Sequence, residues 1–265
     1  MIEEKLIFLN SQSPRSGHNF VAEVIRKIVD CETPIGDRSE IPFNPILSVY
    51  HKTLNTYFSS GGSKAFLDDL FINDIRDKLL KNNTNVLIKY TNYTGAKDAK
   101  QIYKDDIHIL SIRDPKDCLL SLFKGMKYKK GYKSLLKKMA LPFGLYHYTF
   151  SKKYSDKILA EIPNVNDFFV IKYEDLVTKN EESLKQLINL FNSNISVEEL
   201  KEKMDNVKVL NSSFYKEETN SKTMWEASEK STKFNPVNRN KGFNFLQILG
   251  VKIGSKRLRK RMGYI

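Results

Sequence analysis

The sequence predicts an α/β fold, with a central parallel sheet flanked by helices in a three-layer α/β/α arrangement. Two observations lead there. Short apolar runs alternate with longer amphipathic ones along the chain, as in a parallel sheet covered on both faces. The runs richest in polar chemistry begin where a strand-like run ends, and such sheets hold ligands outside the carboxyl ends of their strands. The 265 residues, 40% of them hydrophobic, suit one α/β domain over residues 1–265 with a real core.

The elements follow in order. Lys5–Asn10 (KLIFLN) is a short apolar strand. Asn19–Cys31 repeats Phe20, Val21, Val24, Ile25, Ile28 and Val29 at helical spacing. Phe66–Lys81 is a second amphipathic helix. Asn85–Tyr90 (NVLIKY) and Ile107–Ile112 (IHILSI) are strands. Pro115 suits the first position of a helix, which runs to about Lys129. Asp167–Lys172 (DFFVIK) is a fourth strand, and helices cover Glu181–Asn192 and Val197–Met204. The second half is otherwise helical.

Composition narrows the function classes. No apolar run is long enough to span a membrane. The start MIEEKLIFLN carries acids where a secretory signal carries bases. Cys31 and Cys118 are the two cysteines, too few for a disulfide framework, so a reducing, cytoplasmic setting is expected. The four histidines lie far apart, without metal-ligand spacing. Net charge is +13, from 44 Lys and Arg against 31 Asp and Glu. That excess reads either as a lysine-rich surface or as the mark of an anionic partner.

Two runs carry anion-binding chemistry. In Ser13-Pro14-Arg15-Ser16-Gly17-His18-Asn19, a glycine allows close backbone approach just before a helix. The first N–H groups of that helix lack internal partners and face outward, where they and the helix dipole favour a phosphate. A Walker-type loop would need Gly-Lys-Ser/Thr where this chain has Gly17-His18-Asn19, and an earlier glycine where it has Gln12. About a hundred positions later, HILSIRDPKDCLLSLF sets Arg113 at a strand end and Ser121 two turns into the next helix. Two anion sites at neighbouring strand ends suit a nucleotide with phosphates at both ends of its ribose.

Together these runs resemble the cytosolic-type sulfotransferase family that uses 3′-phosphoadenosine 5′-phosphosulfate (PAPS), which has a P-loop NTPase-like fold. SPRSGHNF resembles the family's 5′-phosphosulfate loop, and IRDPKDCLLSLF its 3′-phosphate segment. IKYEDL (Ile171–Leu176), NSSF (Asn211–Phe214) and NRNKGF (Asn238–Phe243) resemble three further family segments, in family order. The resemblance implies that Arg15, Ser16, Gly17, His18 and Asn19 hold the 5′-phosphosulfate and that Phe20 packs on adenine. It implies that Arg113, Ser121, Arg239, Lys241 and Gly242 hold the 3′-phosphate, and that Tyr173, Ser212 and Phe214 border the adenine. Lys89 matches the family lysine that faces the transferring group. The acceptor would carry a hydroxyl or an amine.

The pattern departs from the family at the general base. The family histidine position holds Thr91, and the glutamate that heparan-type members place before the lysine is Ile88. That leaves His18, His51 or a group on the substrate as the base, or a transfer that dispenses with one, since a loose in-line transition state asks little covalent chemistry of the protein. Segments Glu32–Ser63 and Tyr128–Tyr154, with Tyr50, Tyr57, Phe58, Phe143, Tyr146 and Tyr148, are expected to shape the acceptor pocket. The basic run Ser255–Met262 reads as a solvated terminal helix or as a surface that docks an anionic substrate or a membrane face. The lysines of 124–138, interleaved with Tyr128 and Tyr132, read as an exposed helix face. Three rivals remain: an atypical nucleotide kinase, a non-catalytic nucleotide-binding relative, and a nucleic-acid binder, the last disfavoured.

Overall fold

The computed structural model describes residues 4–35, 40–57, 61–82, 84–124, 139–207, 209–211, 226–228, 237 and 239–265. Its centre is a five-stranded parallel sheet in the order β2-β3-β1-β4-β5. The strands are β1 (Leu6–Ser11), β2 (Cys31–Glu32), β3 (Asn85–Tyr90), β4 (Ile107–Ile112) and β5 (Phe169–Lys172). β1 lies in the middle. It pairs with β3 on one side (Asn10 opposite Tyr90) and with β4 on the other (Ser11 opposite Ser111). The chain reverses its direction of travel across the sheet at β1, so a crevice opens at the carboxyl ends of β1, β3 and β4.

Alternation along β1 builds both outer layers. Ile7 and Leu9 face a cluster with Val21, Val24, Ile25 and Ile28 of α1 (His18–Ile28). The same cluster takes in Leu184 and Leu187 of the helix Glu181–Leu190, and Leu200 and Met204 of Val197–Asp205. Leu6 and Phe8 face the opposite layer, with Leu47 of α2 (Phe43–Tyr57), Ala99 of the helix Ala96–Ile102, and Tyr103. All of β1 is buried on both faces, which is why its run reads as continuously apolar rather than alternating. Each buried Leu, Ile or Phe contributes at most about 1.5–3 kcal/mol. β4 adds Leu110 and Ile112 to a third cluster, closed by Ile158, Phe168, Leu258 and Met262.

Several boundaries differ from the sequence reading. The predicted Phe66–Lys81 helix is interrupted: a π-turn at Asp69–Asn73 joins Gly61–Asp68 to Asp74–Leu79. Asp167 belongs to a 3₁₀ turn rather than to β5. The helix from Pro115 is described to Lys124, and the Lys124–Lys138 face with Tyr128 and Tyr132 lies outside the described residues beyond that point. The helices Phe43–Tyr57 and Leu145–Glu161 were not read from the pattern. The basic terminal helix Lys256–Arg261 is not simply solvated. Leu258 and Met262 are buried, and Arg259 holds Asp114 through two bonds of 2.9 and 3.2 Å.

His108 on β4 sits in the core. Its ring stacks on Phe8 at 4.7 Å and its Nε2 donates to the Tyr103 carbonyl at 2.7 Å. Burial pushes its pKa down to about 4. A histidine that charges more easily unfolded favours the unfolded chain as pH falls from its ordinary 6.5 towards 4. The His108 share of stability should therefore drop by about 2 kcal/mol between pH 7 and pH 5. Urea unfolding at the two pH values should show that drop in the wild type and not in His108→Phe.

Candidate active site at the carboxyl edge of the sheet

The loop after β1 is shaped by backbone geometry first. Gly17 caps α1 with φ +86° and Arg15 has φ +73°, both in the left-handed region. A non-glycine residue held there stores strain of about 1–3 kcal/mol, and such strain gathers at ligand clamps. No side chain caps the first turn of α1 and no acid lies in it, so the outward N–H groups and the helix dipole face the crevice. Ser16 Oγ and Asn19 Oδ1 are buried and have no hydrogen-bond partner among the described residues. Buried polar groups rarely stay unmet, so the loop is built around something polar.

Gln12 locks this loop to the end of β4. Its Nε2 donates to the Arg113 carbonyl at 2.7 Å, and the Arg113 N–H donates back to its Oε1 at 3.2 Å. The residue that breaks the Walker pattern is thus an amide clamp between the two anion segments. Arg113 reaches back over the loop and donates from a terminal nitrogen to the Arg15 carbonyl at 2.9 Å. Its guanidinium lies 4.4 Å from the centre of the Tyr173 ring. Tyr173 in turn meets Phe20 edge-on at 5.8 Å.

Cations crowd this point. Burial, and then the charge of Arg239, lower the Arg15 pKa. Burial, and then the charge of Arg113, lower that of Arg239, with Tyr173 and Asp117 opposing. Lys124 is lowered by burial and then by Arg239 and Lys241. Cations that depress one another in this way mark a place where multiple negative charge is welcome. Carboxylates hold the framework. Asp117 accepts from the Arg239 N–H at 2.9 Å and lies 3.0 Å from Lys116 Nζ. Glu174 accepts from the Asp114 N–H at 2.9 Å and from the Tyr264 hydroxyl at 2.7 Å. Ser121 lies half-buried on the helix that carries Asp117, and Lys241 and Gly242 are exposed on the loop behind Arg239. Ser212 and Phe214 lie outside the described residues, as does Asn238.

A second cluster forms at the end of β3. Lys89 is 2% exposed. Its carbonyl accepts from the Ile41 N–H at 3.1 Å, which ties the segment after β2 to β3 and brings in Glu40. Glu40 Oε1 lies 3.0 Å from His18 Nε2, and Glu40 Oε2 accepts from the Thr91 hydroxyl. Burial alone would raise the Glu40 pKa. His18, the Thr91 hydroxyl and the Lys89 ammonium more than reverse it and hold the carboxyl below its ordinary 4.5. Sequence reading missed Glu40, which sits in an unpatterned stretch about fifty residues from Thr91. His51 is elsewhere: Nδ1 meets Asp98 at 3.0 Å and Nε2 meets Asn55 at 3.0 Å.

A cavity of about 240 Å³ opens beside both clusters, lined by Gln12, Pro14, Thr91, Asn92, Tyr154 and Glu161 among others. Pro14 adjoins Arg15, and Thr91 bonds Glu40. Of the aromatics expected to line it, Tyr50 bonds Asp68, Tyr146 packs on Phe123, and Phe143 is exposed. Phe58 lies outside the described residues.

A β-carbon built on Gly17 would stand 2.3 Å from the Tyr173 ring. Gly17→Ala should cost on the order of 2 kcal/mol or more, from the positive φ and the displaced ring. Denaturant unfolding should show that loss. Adding Tyr173→Ala should return the steric part and leave the φ part.

Comparison with known proteins gives the family. The model of a protein family described as a sulfotransferase domain matches residues 11–244. No curated protein matches the chain significantly. Among solved structures, the sulfotransferase domain from the curacin biosynthetic pathway is 13% identical with a TM-score of 0.44, covering 98% of each chain. Mouse sulfotransferase SULT7A1 complexed with PAP is 20% identical with a TM-score of 0.42, covering 77% of this chain and 63% of that one. The sulfotransferase domain of the Synechococcus PCC 7002 olefin synthase is 17% identical with a TM-score of 0.37, covering 77% of each.

Proposed function

The chain belongs to the sulfotransferase domain family, and we propose that it moves a sulfuryl group from PAPS to a hydroxyl or amine of an acceptor. The observation that carries this reading is the crowding of Arg15, Arg113 and Arg239 between two strand ends, where burial and then Arg239 lower the Arg15 pKa, and burial and then Arg113 lower that of Arg239. One end of the donor, its 5′-phosphosulfate, suits the loop Arg15–Asn19, where Ser16 Oγ is buried without a hydrogen-bond partner among the described residues. The 3′-phosphate suits Arg113 and Arg239, with Ser121, Lys241 and Gly242 nearby. Adenine then lies towards Phe20 and Tyr173, whose rings are already in contact.

The transfer follows from what these groups can do. The bond between sulfur and the bridging phosphate oxygen breaks as the acceptor oxygen or nitrogen bonds to sulfur. By analogy with phosphoryl transfer the transition state is loose and in line, so the protein's main tasks are alignment and charge stabilisation. Arg15, Lys89 and the first N–H groups of α1 stabilise the charge that grows on the leaving phosphate. Glu40 takes the acceptor proton, in the place of the family histidine that this chain replaces with Thr91. Its carboxylate is held by Thr91 and braced by His18, which therefore serves as support rather than as the base. The products are adenosine 3′,5′-bisphosphate and a sulfated acceptor. The 240 Å³ cavity beside Thr91 and Pro14 receives the acceptor's reacting end.

Calorimetry should show adenosine 3′,5′-bisphosphate binding far more tightly than 5′-AMP. Arg113→Ala should remove most of that difference, on the order of 2–4 kcal/mol for a desolvated charged contact. Equal affinity of the wild type for the two ligands would sink the donor assignment.

Glu40→Gln should leave bisphosphate binding intact and slow turnover by about 10²–10⁴-fold. A carboxylate base is lost only as pH falls through its own pKa, which here lies below 4.5. The wild-type kcat/KM should thus stay flat from neutral pH down to about pH 5. An acid limb centred near the ordinary histidine value of about 6.5 would transfer the role to His18.

A further inference from the structure

We infer that the face formed by the C-terminal helices and the start of the long helix before β5 docks on an anionic lipid bilayer. In the helix Phe245–Gly254, residues Phe245, Leu249 and Ile253 fall four apart, with Leu246 beside them. That spacing puts them on one side of the helix. All four are exposed, Phe245 at 75% and Ile253 at 53%. Three more exposed apolar side chains, Met139, Phe143 and Leu145, lie at or just before the start of the helix Leu145–Glu161.

These two sets form one surface because their backbones are locked together. Asn244 Nδ2 donates to the Pro142 carbonyl at 3.0 Å, and Gln247 Nε2 to the Leu141 carbonyl at 3.2 Å. Gly250 and Gly254 let the helices touch: a β-carbon at either would stand 2.4 and 2.6 Å from the carbonyls of Gly144 and Tyr148. The opposite side of the C-terminal pair is already used, with Val251, Leu258 and Met262 buried in the core. The apolar side therefore faces outward as a rigid feature of the fold.

Charge identifies what covers it. Between Lys241 and Tyr264 the sequence holds Lys or Arg at seven positions and neither Asp nor Glu. Lys252, Lys256, Arg257, Lys260 and Arg261 are exposed beside the apolar side chains. Among the described residues, Arg257 alone of these five meets a nearby acid, Asp156 at 3.3 Å. Protruding apolar side chains with a cationic border are what an interfacial helix offers to anionic headgroups. A second copy fits less well, since a two-fold contact would set this cationic border against itself. Phe245 and Phe143 are both well exposed, and a fluid bilayer can take up such side chains without a shaped groove.

Docking here adds a location to the transfer chemistry and does not depend on it. The test is sedimentation of the full chain with phosphatidylcholine vesicles and with vesicles that also contain phosphatidylglycerol. Wild type should pellet with the anionic vesicles on the order of tenfold more strongly than with neutral ones, and raised salt should weaken it. Phe245→Ser with Ile253→Ser should lose at least about tenfold in vesicle affinity. Lys252→Glu with Lys256→Glu should lose a similar factor. Circular dichroism and bisphosphate binding should show both double variants folded. No pelleting of the wild type overturns the inference, as does binding that Phe245→Ser with Ile253→Ser leaves unchanged, which would be generic charge attraction. A dimer in light scattering that the apolar variant dissolves, without vesicle binding, would assign the face to a second copy.

Discussion

The site rests on one neutral side chain holding charged ones together. Gln12 bonds both backbone groups of Arg113 from the end of β1. It joins the loops after β1 and β4 directly, beyond the strand pairing behind them. With it, Arg113 is set close enough to reach the Arg15 carbonyl and to lie over Tyr173. An amide does this work without adding charge. A carboxylate at position 12 could not donate to the Arg113 carbonyl, and it would neutralise part of the field that an anionic ligand needs.

Around that clamp the protein separates two kinds of electrostatic work. Asp114, Asp117 and Glu174 are spent on structure, each accepting from backbone N–H groups or gripping Lys116 and Arg259. At the crevice the cations act on one another: after burial, Arg239 lowers the Arg15 pKa and Arg113 lowers that of Arg239. Stability given up there is offset by the buried strands of the sheet, chiefly β1, whose six residues are all in the core. A site that is electrostatically costly when empty and relieved by an anion is a general way to store binding energy.

The cluster at the end of β3 shows a different economy. Thr91 and His18 come from opposite sides of Glu40, and Lys89 lies close enough to act on its charge. The carboxylate is thereby kept ionised and pointed, although it belongs to a stretch without regular structure. The backbone bond from Ile41 to Lys89 holds Glu40 and its neighbours against the sheet.

Much of this was legible from residues alone. Parallel strands read as apolar runs because both faces are covered, so β1, β3 and β4 appeared within a residue of their true ends. The loop around Gly17 and the segment from Arg113 were recognisable because their chemistry is local: turn, glycine, cation and helix start are neighbours in sequence. Tyr173 and Arg239 were reached through resemblance. Other features were decided only by tertiary structure. Gln12 looked like a missing glycine until its partner, a hundred residues away, was beside it. Glu40 had no pattern to mark it, since its meaning comes from Lys89 and Thr91 across a strand pairing. The basic terminal run read as a solvated helix or a docking surface, with no sign of its buried contacts, because Leu258 in the core and Arg259 on Asp114 find their partners far away in the chain. Periodicity and turn chemistry record what a residue does with its near neighbours. Which distant polar groups end up facing one another depends on how the layers pack, and no short window of sequence contains that.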